Sequence, residues 1–254
     1  MSPKDYPLSG LGYLITHPSL WPQVICPIII GFIAGLIAVI VLLSTALKPQ
    51  ADSLSHLGDF WAWFIAIIAC LVEALIILIV ILKKVASVAQ TKVFVKTMEM
   101  ENCWNQNWSK PNLAELSSPF GFDLLVKICS LPLNLIPVAG TILYGMINMN
   151  MAALDIMSLY YDASGISEED QKNMVFGGTD VCSALTSPLK GFENEHSGFG
   201  FVCAILEMVP VLGATLIPVS NSIGGALWAC DMEKCKMKSS AQQGYAPQPQ
   251  ARMV

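Results

Sequence analysis

Two carboxylates stand where the surrounding residues leave little room for water. Glu73 lies in FWAWFIAIIACLVEALIILIVIL (residues 60–82), and Glu207 heads EMVPVLGATLIPVSNSIGGALWACD (residues 207–231). A charge at the centre of a bilayer costs roughly 2.5–3.5 kcal/mol on insertion scales, so such a group is paired, protonated or open to water. For Glu73 this leaves two chemistries: a relay for protons or ions, or a structural pair with a partner such as Lys127. Asp123, Lys127 and Glu207 have the further option of lying at the membrane interface, where charge costs little. Asn134 and Asn221, with Asn148, Asn150 and Ser222, can line a polar path beside these acids. They can equally bond helix to helix, as amides and hydroxyls do in membrane bundles.

The remaining reactive residues point away from catalysis. His17, His56 and His196 lie in separate segments with no ligand or base at a recognisable spacing. Of the eight cysteines, most sit inside apolar runs, and none forms a C-x-x-C pair or a zinc-like Cys/His spacing. No phosphate loop, dinucleotide fingerprint or nucleophile elbow is present in the sequence. The expectation is therefore no catalytic set, no metal and no cofactor. A net charge of −5, with Arg252 the sole arginine, argues against a nucleic-acid partner.

The elements that must carry these residues are set by hydrophobicity. The chain has 254 residues, 54% of them hydrophobic and 13% charged. Soluble domains carry about 25% charge, so the expected partner is a lipid bilayer and the expected class is an all-α integral membrane protein. Residues 24–47 and 60–82 are each long enough to cross about 30 Å of hydrocarbon. Trp61 and Trp63 take the place of an interfacial aromatic belt. The stretch KPQADSLSHLGD between the spans reads as a short loop. Beyond the second span, KKVASVAQTKVFVKTMEMEN reads as a helical continuation, solvated or packed on its own protein. Lys4, Lys83, Lys84, Lys92, Lys96 and Lys110 flank the spans on one side and only Lys48 on the other, which places the N-terminus in the cytoplasm.

Two later apolar regions, about 120–157 and 199–231, open alike with Phe-Gly-Phe and share Pro-Val-x-Gly, at Pro137 to Gly140 and Pro210 to Gly213. Each is longer than one span and too short for two full crossings. Proline and glycine mark breaks in a helix, so the expectation is a pair of helical hairpins that enter part-way and turn near Pro137, Gly140, Pro210 and Gly213. One kinked span plus an interfacial helix is the alternative for each. Pro218 and the Asn221-Ser222 pair are expected around the second bend. Between the regions, Ser167 before Glu168, Glu169 and Asp170 reads as the N-cap and acidic first turn of a short helix. Residues 1–235 thus form one membrane domain, and 236–254, rich in Gln and Pro, read as a disordered tail.

Several ordered blocks resemble the etoposide-induced protein / CysZ-like family. They are LSGLGYLITHPSLWPQVICPIII, LIPVAGTILYGMINMNMAALDIMSLYYD, and GISEED followed by FGFVCAILEMVPVLGATLIPV, together covering roughly residues 8–232. The Asp231-Met232-Glu233 ending is most similar to the fungal branch, some of whose members associate with lipid droplets or spore walls. The resemblance implies two long transmembrane helices plus two partly penetrating helical hairpins, and assembly as a homo-oligomer. Bacterial relatives are sulfate permeases whose anion contact is a Gly-Leu-Arg motif; here Ser19, Leu20 and Trp21 stand at those positions. Tryptophan offers one N–H and no charge where arginine offers a planar fork. The expectation is accordingly a non-catalytic, membrane-organising or partner-binding protein of the endoplasmic reticulum or lipid droplets. The alternative is a transporter of sulfate or another small anion, with or without proton coupling.

Overall fold

The computed structural model describes residues 1–108, 139–177, 194–209 and 212–243, and every regular element among them is helical. In chain order these are α1 (Tyr6–Thr16), α2 (Trp21–Thr45), α3 (Leu47–Ser53), α4 (Asp59–Met100), α5 (Ala139–Ala163), α6 (Glu168–Phe176), α7 (Glu195–Glu207) and α8 (Leu212–Gln243). Short 3-10 turns, Pro18–Leu20 and Ser55–Leu57, lead into α2 and towards α4. Three stretches are long and apolar enough to cross a membrane: Pro18–Ser53, Asp59–Leu78 and Ala139–Ala163. The first two contain most of the spans expected from the sequence, and the third adds a candidate.

α2 and α4 run antiparallel and meet through glycines. A Cβ on Gly31 would lie 3.1 Å from the Val85 methyls, and one on Gly35 would lie 2.5 Å from the end of Leu78. The expected loop between them is mostly helical: α3 and the 3-10 turn fill it, and Gly58, at φ 89°, turns the chain into α4. Such a positive φ suits a residue with no Cβ. α4 then continues unbroken for 42 residues, and its last turns pack on its own protein, as one of the two readings of that stretch anticipated.

α8 runs parallel to α4. Gln90 Nε2 donates to the Pro218 carbonyl (3.2 Å), and Lys234 pairs with Glu101 (3.6 Å). α1 lies antiparallel along α8 at backbone contact distance, because a Cβ on Gly10 would fall 2.2 Å from the Ser220 carbonyl and one on Gly224 2.5 Å from that of Tyr6. α7 lies antiparallel to α5, with Gly200 against the Met149 carbonyl and Gly145 against Phe201 and Ile205. It is also antiparallel to α8, through Phe199 on Trp228 and Cys203 on Asn221. The two arms of the second expected hairpin are thus present, separated by the break after Glu207.

Some details of the expected bends differ. Gly213 is the second residue of α8 and Gly140 that of α5, both in helical backbone. Pro218 is inside α8, and Asn221 and Ser222 are fully buried in its body rather than at a turn. The described part of the first region, from residue 139 on, is one helix that continues past residue 157 to Ala163. Pro137 and Pro210 lie outside the described residues. Ser167 does cap α6, its side chain accepting from the Asp170 N–H (3.3 Å), and Gly177 closes that helix in the left-handed region. The expected tail begins later than residue 236, since α8 continues to Gln243.

Candidate functional site

Ser19, Leu20 and Trp21, the candidate anion-contact positions expected from the sequence, all make contacts within the chain. Pro18–Leu20 form a 3-10 turn, so the chain enters α2 tightly wound. Leu20 is fully buried and packs with Leu14, Val24, Ala89, Val93, Val219 and Ile223. Ser19 Oγ faces Met100 Sδ at 3.8 Å. Trp21 donates its single N–H to the Leu14 carbonyl (2.9 Å), which ties the end of α1 to the start of α2. The indole therefore presents ring rather than donor to its surroundings, and a ring face favours no anion.

Glu73 has a partner that sequence reasoning missed. Gln50, from the expected loop, donates its Nε2 to both carboxylate oxygens at 2.9 Å each. Its Oε1 in turn accepts from Cys70 Sγ (3.2 Å). A polar residue in a segment read as loop carried no signal of this; only the helical fold of α3 brings Gln50 alongside α4. The trio satisfies the carboxylate, the amide and the thiol together, which is how a membrane-depth acid is tolerated. Lys127, the partner considered from sequence, lies outside the described residues.

Glu207 and Asn221 do come together, between the arms of the hairpin. Asn221 Nδ2 donates to Glu207 Oε1 (3.3 Å) and to the Cys203 carbonyl (3.4 Å). One amide thus bridges the last turn of α7 to the middle of α8. The Asn150 Oδ1 accepts from Ser197 Oγ (2.8 Å) on the neighbouring seam. These contacts are helix-to-helix bonds of the kind considered from sequence. Glu73 is not part of the group: Asn221 is near the level of Val93 on α4, and Glu73 is 20 residues away, roughly 30 Å along the axis. Asn134 lies outside the described residues.

A larger polar cluster forms at the opposite end of α4 from Gln50, where α1, α4, α5, α7 and α8 converge. Tyr6 donates to Asp231 (2.6 Å), Tyr13 donates to Glu101 (3.1 Å), and Tyr160 donates to Glu233. Lys236 completes a triangle with the Tyr160 hydroxyl (2.6 Å) and Glu233 (2.8 Å). Burial, then the hydrogen bonds to their carboxylates, push the Tyr6 hydroxyl up and the Tyr13 hydroxyl up to about 12. Burial alone would raise Glu233, but the bonds from Lys236 and Tyr160 outweigh it and hold the acid below the usual range.

His196 belongs to this end, and its burial disfavours the charged ring. Asn194 donates its Nδ2 to the carbonyls of Met174 (3.0 Å) and Val175 (3.1 Å), which leaves its Oδ1 to accept from His196 Nδ1 (3.2 Å). The Tyr161 hydroxyl lies 2.6 Å from Nε2, to which it donates when the ring is neutral. Burial between Tyr161 and Trp228 lowers the imidazole to about 4. Tyr161 and Trp228 come from distant parts of the sequence, which is why no spacing announced them. The network ties helices together. No protein-family pattern matches the chain, and no curated protein does either.

Proposed function

We propose that this chain is a non-catalytic, multi-pass membrane protein that organises the membrane or holds partners from one leaflet, at the endoplasmic reticulum or lipid droplets, with its N-terminus in the cytoplasm. The observation that carries this reading is a mismatch in reach along α4. The register at Gln90–Pro218 puts the first residue of α8 level with Lys84, and the α5 contacts of Ile156 with Gly225 put Ala139 level with about Val80. From there to Asp59, α4 continues for roughly 30 Å beside α2 and α3.

The lipid-facing belt fixes the scale. Exposed large apolar side chains on α2 run from Ile25 to Leu43, roughly 27 Å by helical rise. Matched through Gly31–Val85 and Gly35–Leu78, that run corresponds to about residues 71–91 of α4, and α4's own exposed apolar side chains carry the belt outward from Ile76 to Phe60, so the arms overlap only its inner part, about 15 Å. Ile142, Leu143 and Val209, near the leading ends of the arms, are exposed and apolar, as residues dipping into hydrocarbon should be. Elements inserted in one leaflet only occupy area there and not opposite, which favours curvature or packing defects. Close contact between copies, as the family resemblance implies, would multiply that effect.

The alternative, transport of sulfate or another small anion, is favoured by the resemblance alone. Against it, Trp21 has its donor engaged by Leu14, and Glu73 and Glu207 are too far apart for one site. The separating experiment is radiolabelled sulfate uptake into liposomes holding the purified protein. We expect no uptake above protein-free liposomes, and the same silence from Trp21→Arg. Sulfate-specific uptake that disappears in Glu73→Gln overturns the reading. A tagged chain at the plasma membrane overturns the organelle.

A further inference from the structure

We propose that the outer face of α1 is a lipid-contact surface, seated in the boundary region of the leaflet that the hairpin arms enter; this rests on the half-depth reading of those arms. α1 has two faces of unlike use. Tyr6, Pro7, Gly10 and Leu14 are buried against α8. Opposite them, Leu8 is 57% exposed and Ile15 64%, Leu11 is half-buried, and Gly12 has no atom within 4 Å of where a Cβ would stand. At helical spacing these four fall within an arc of about 100°. None of them carries a charge or a polar side chain. In water such a stripe is a cost, and at a membrane surface it is the apolar side of an interfacial helix.

The occupant follows from continuity. Leu14, Leu20, Val24, Ala89 and Val93 share one core cluster, so the end of α1 is level with the inner edge of the belt that begins at Ile25 on α2. Trp21, bonded to the Leu14 carbonyl and 46% exposed, ties the end of the α1 stripe to the start of α2, one helical turn before Ile25. The stripe on α1 therefore extends an apolar surface that already faces lipid. Because α1 runs antiparallel to α8, it recedes from the belt towards its own start. Ile15 is the deepest residue of the stripe and Leu8 the shallowest. The partner is the headgroup–acyl boundary of a phospholipid leaflet.

The test is a depth measurement on the full chain in phospholipid vesicles. A spin label is carried on a genetically encoded keto side chain, which leaves the native cysteines untouched, and is placed in turn at Leu8, Leu11, Ile15, Ser9, Ile142 and Val209. Accessibility to oxygen reports lipid, and accessibility to a nickel chelate reports water. The expected result is oxygen accessibility at Leu8, Leu11 and Ile15, with Ile15 about 5–10 Å below the phosphates, Leu8 shallower, and Ser9 open to nickel. Nickel accessibility along the whole stripe overturns the proposal. So does shielding from both reagents, which would mean a protein or a second copy covers α1. If only the α1 labels fail while Ile142 and Val209 read lipid, the half-depth reading stands alone. Water at Ile142 and Val209 overturns that reading itself.

Discussion

The two halves of α4 solve opposite packing problems with one helix. In the half nearer Asp59, the buried residues are small and recur every fourth position: Ala62, Ala66, Cys70 and Ala74. The large ones, Phe60, Trp61, Phe64, Ile68, Leu71 and Val72, face outward. In the half nearer Met100, Val93, Phe94 and Met98 are fully buried while Lys92 is exposed. Where lipid is the solvent, no hydrophobic force sorts large side chains inward, so close approach by small residues supplies the contact. Where water is the solvent, apolar bulk goes inside and charge outside. The exchange of pattern along the helix marks where the surroundings change.

That contrast can be broken most sharply at Phe94. Phe94→Ala should cost about 3–5 kcal/mol, whereas Ile68→Ala, facing lipid, should stay within about 0.5 kcal/mol. Thermal unfolding in lipid nanodiscs measures both, and equal losses would refute the division of α4. The watery end should also be the pH-sensitive one. Because burial holds folded His196 near 4 against 6.5 when unfolded, its contribution is complete above about pH 6.5 and falls away as pH drops toward 4. The loss reaches at most about 3 kcal/mol. A pH series of unfolding temperatures should flatten across that window in His196→Phe.

Smaller effects sharpen the comparison further. Gly200→Ala drives a Cβ to 1.8 Å from the Met149 carbonyl and should cost about 1–3 kcal/mol. At the lipid end, Gln50→Ala strips Glu73 of both amide bonds, and a loss of about 1–3 kcal/mol is expected in the same unfolding assay. An unchanged Gln50→Ala midpoint would show that the acid is satisfied by water. Gly12→Ala, with open space around it, should instead stabilise by about 0.5–1 kcal/mol.

Helical class and the first two spans were legible because bilayer thickness sets the length of an apolar run. The starts of α2 and α4 fall within three residues of those expected, at Trp21 and Asp59. Gly140 and Gly213 stand in the first turns of α5 and α8, while Gly10, Gly200 and Gly224 serve close contact between helices, a use that no pattern in the sequence announces. A glycine that permits a turn and one that admits a neighbouring backbone are the same letter. The polar contacts were legible only as residue types. Asn221 and Glu207 were singled out and do meet, but the Gln50 that holds Glu73, and the tyrosines that hold Glu101, Asp231 and Glu233, depend on which helices become neighbours.

The seating of α1 on α8 has a consequence for biosynthesis. The hydrogen bond from Tyr6 to Asp231 spans 225 residues of sequence. At a translation rate of about 5–20 residues per second, α1 emerges roughly 10–45 s before its partner. The two spans can be handed to the membrane during that interval, while the Gly10 and Gly224 surfaces stay apart. Closure of the lysine-bearing end is therefore a late, largely post-insertional event, and a ribosome stalled before α8 should leave α1 open to protease.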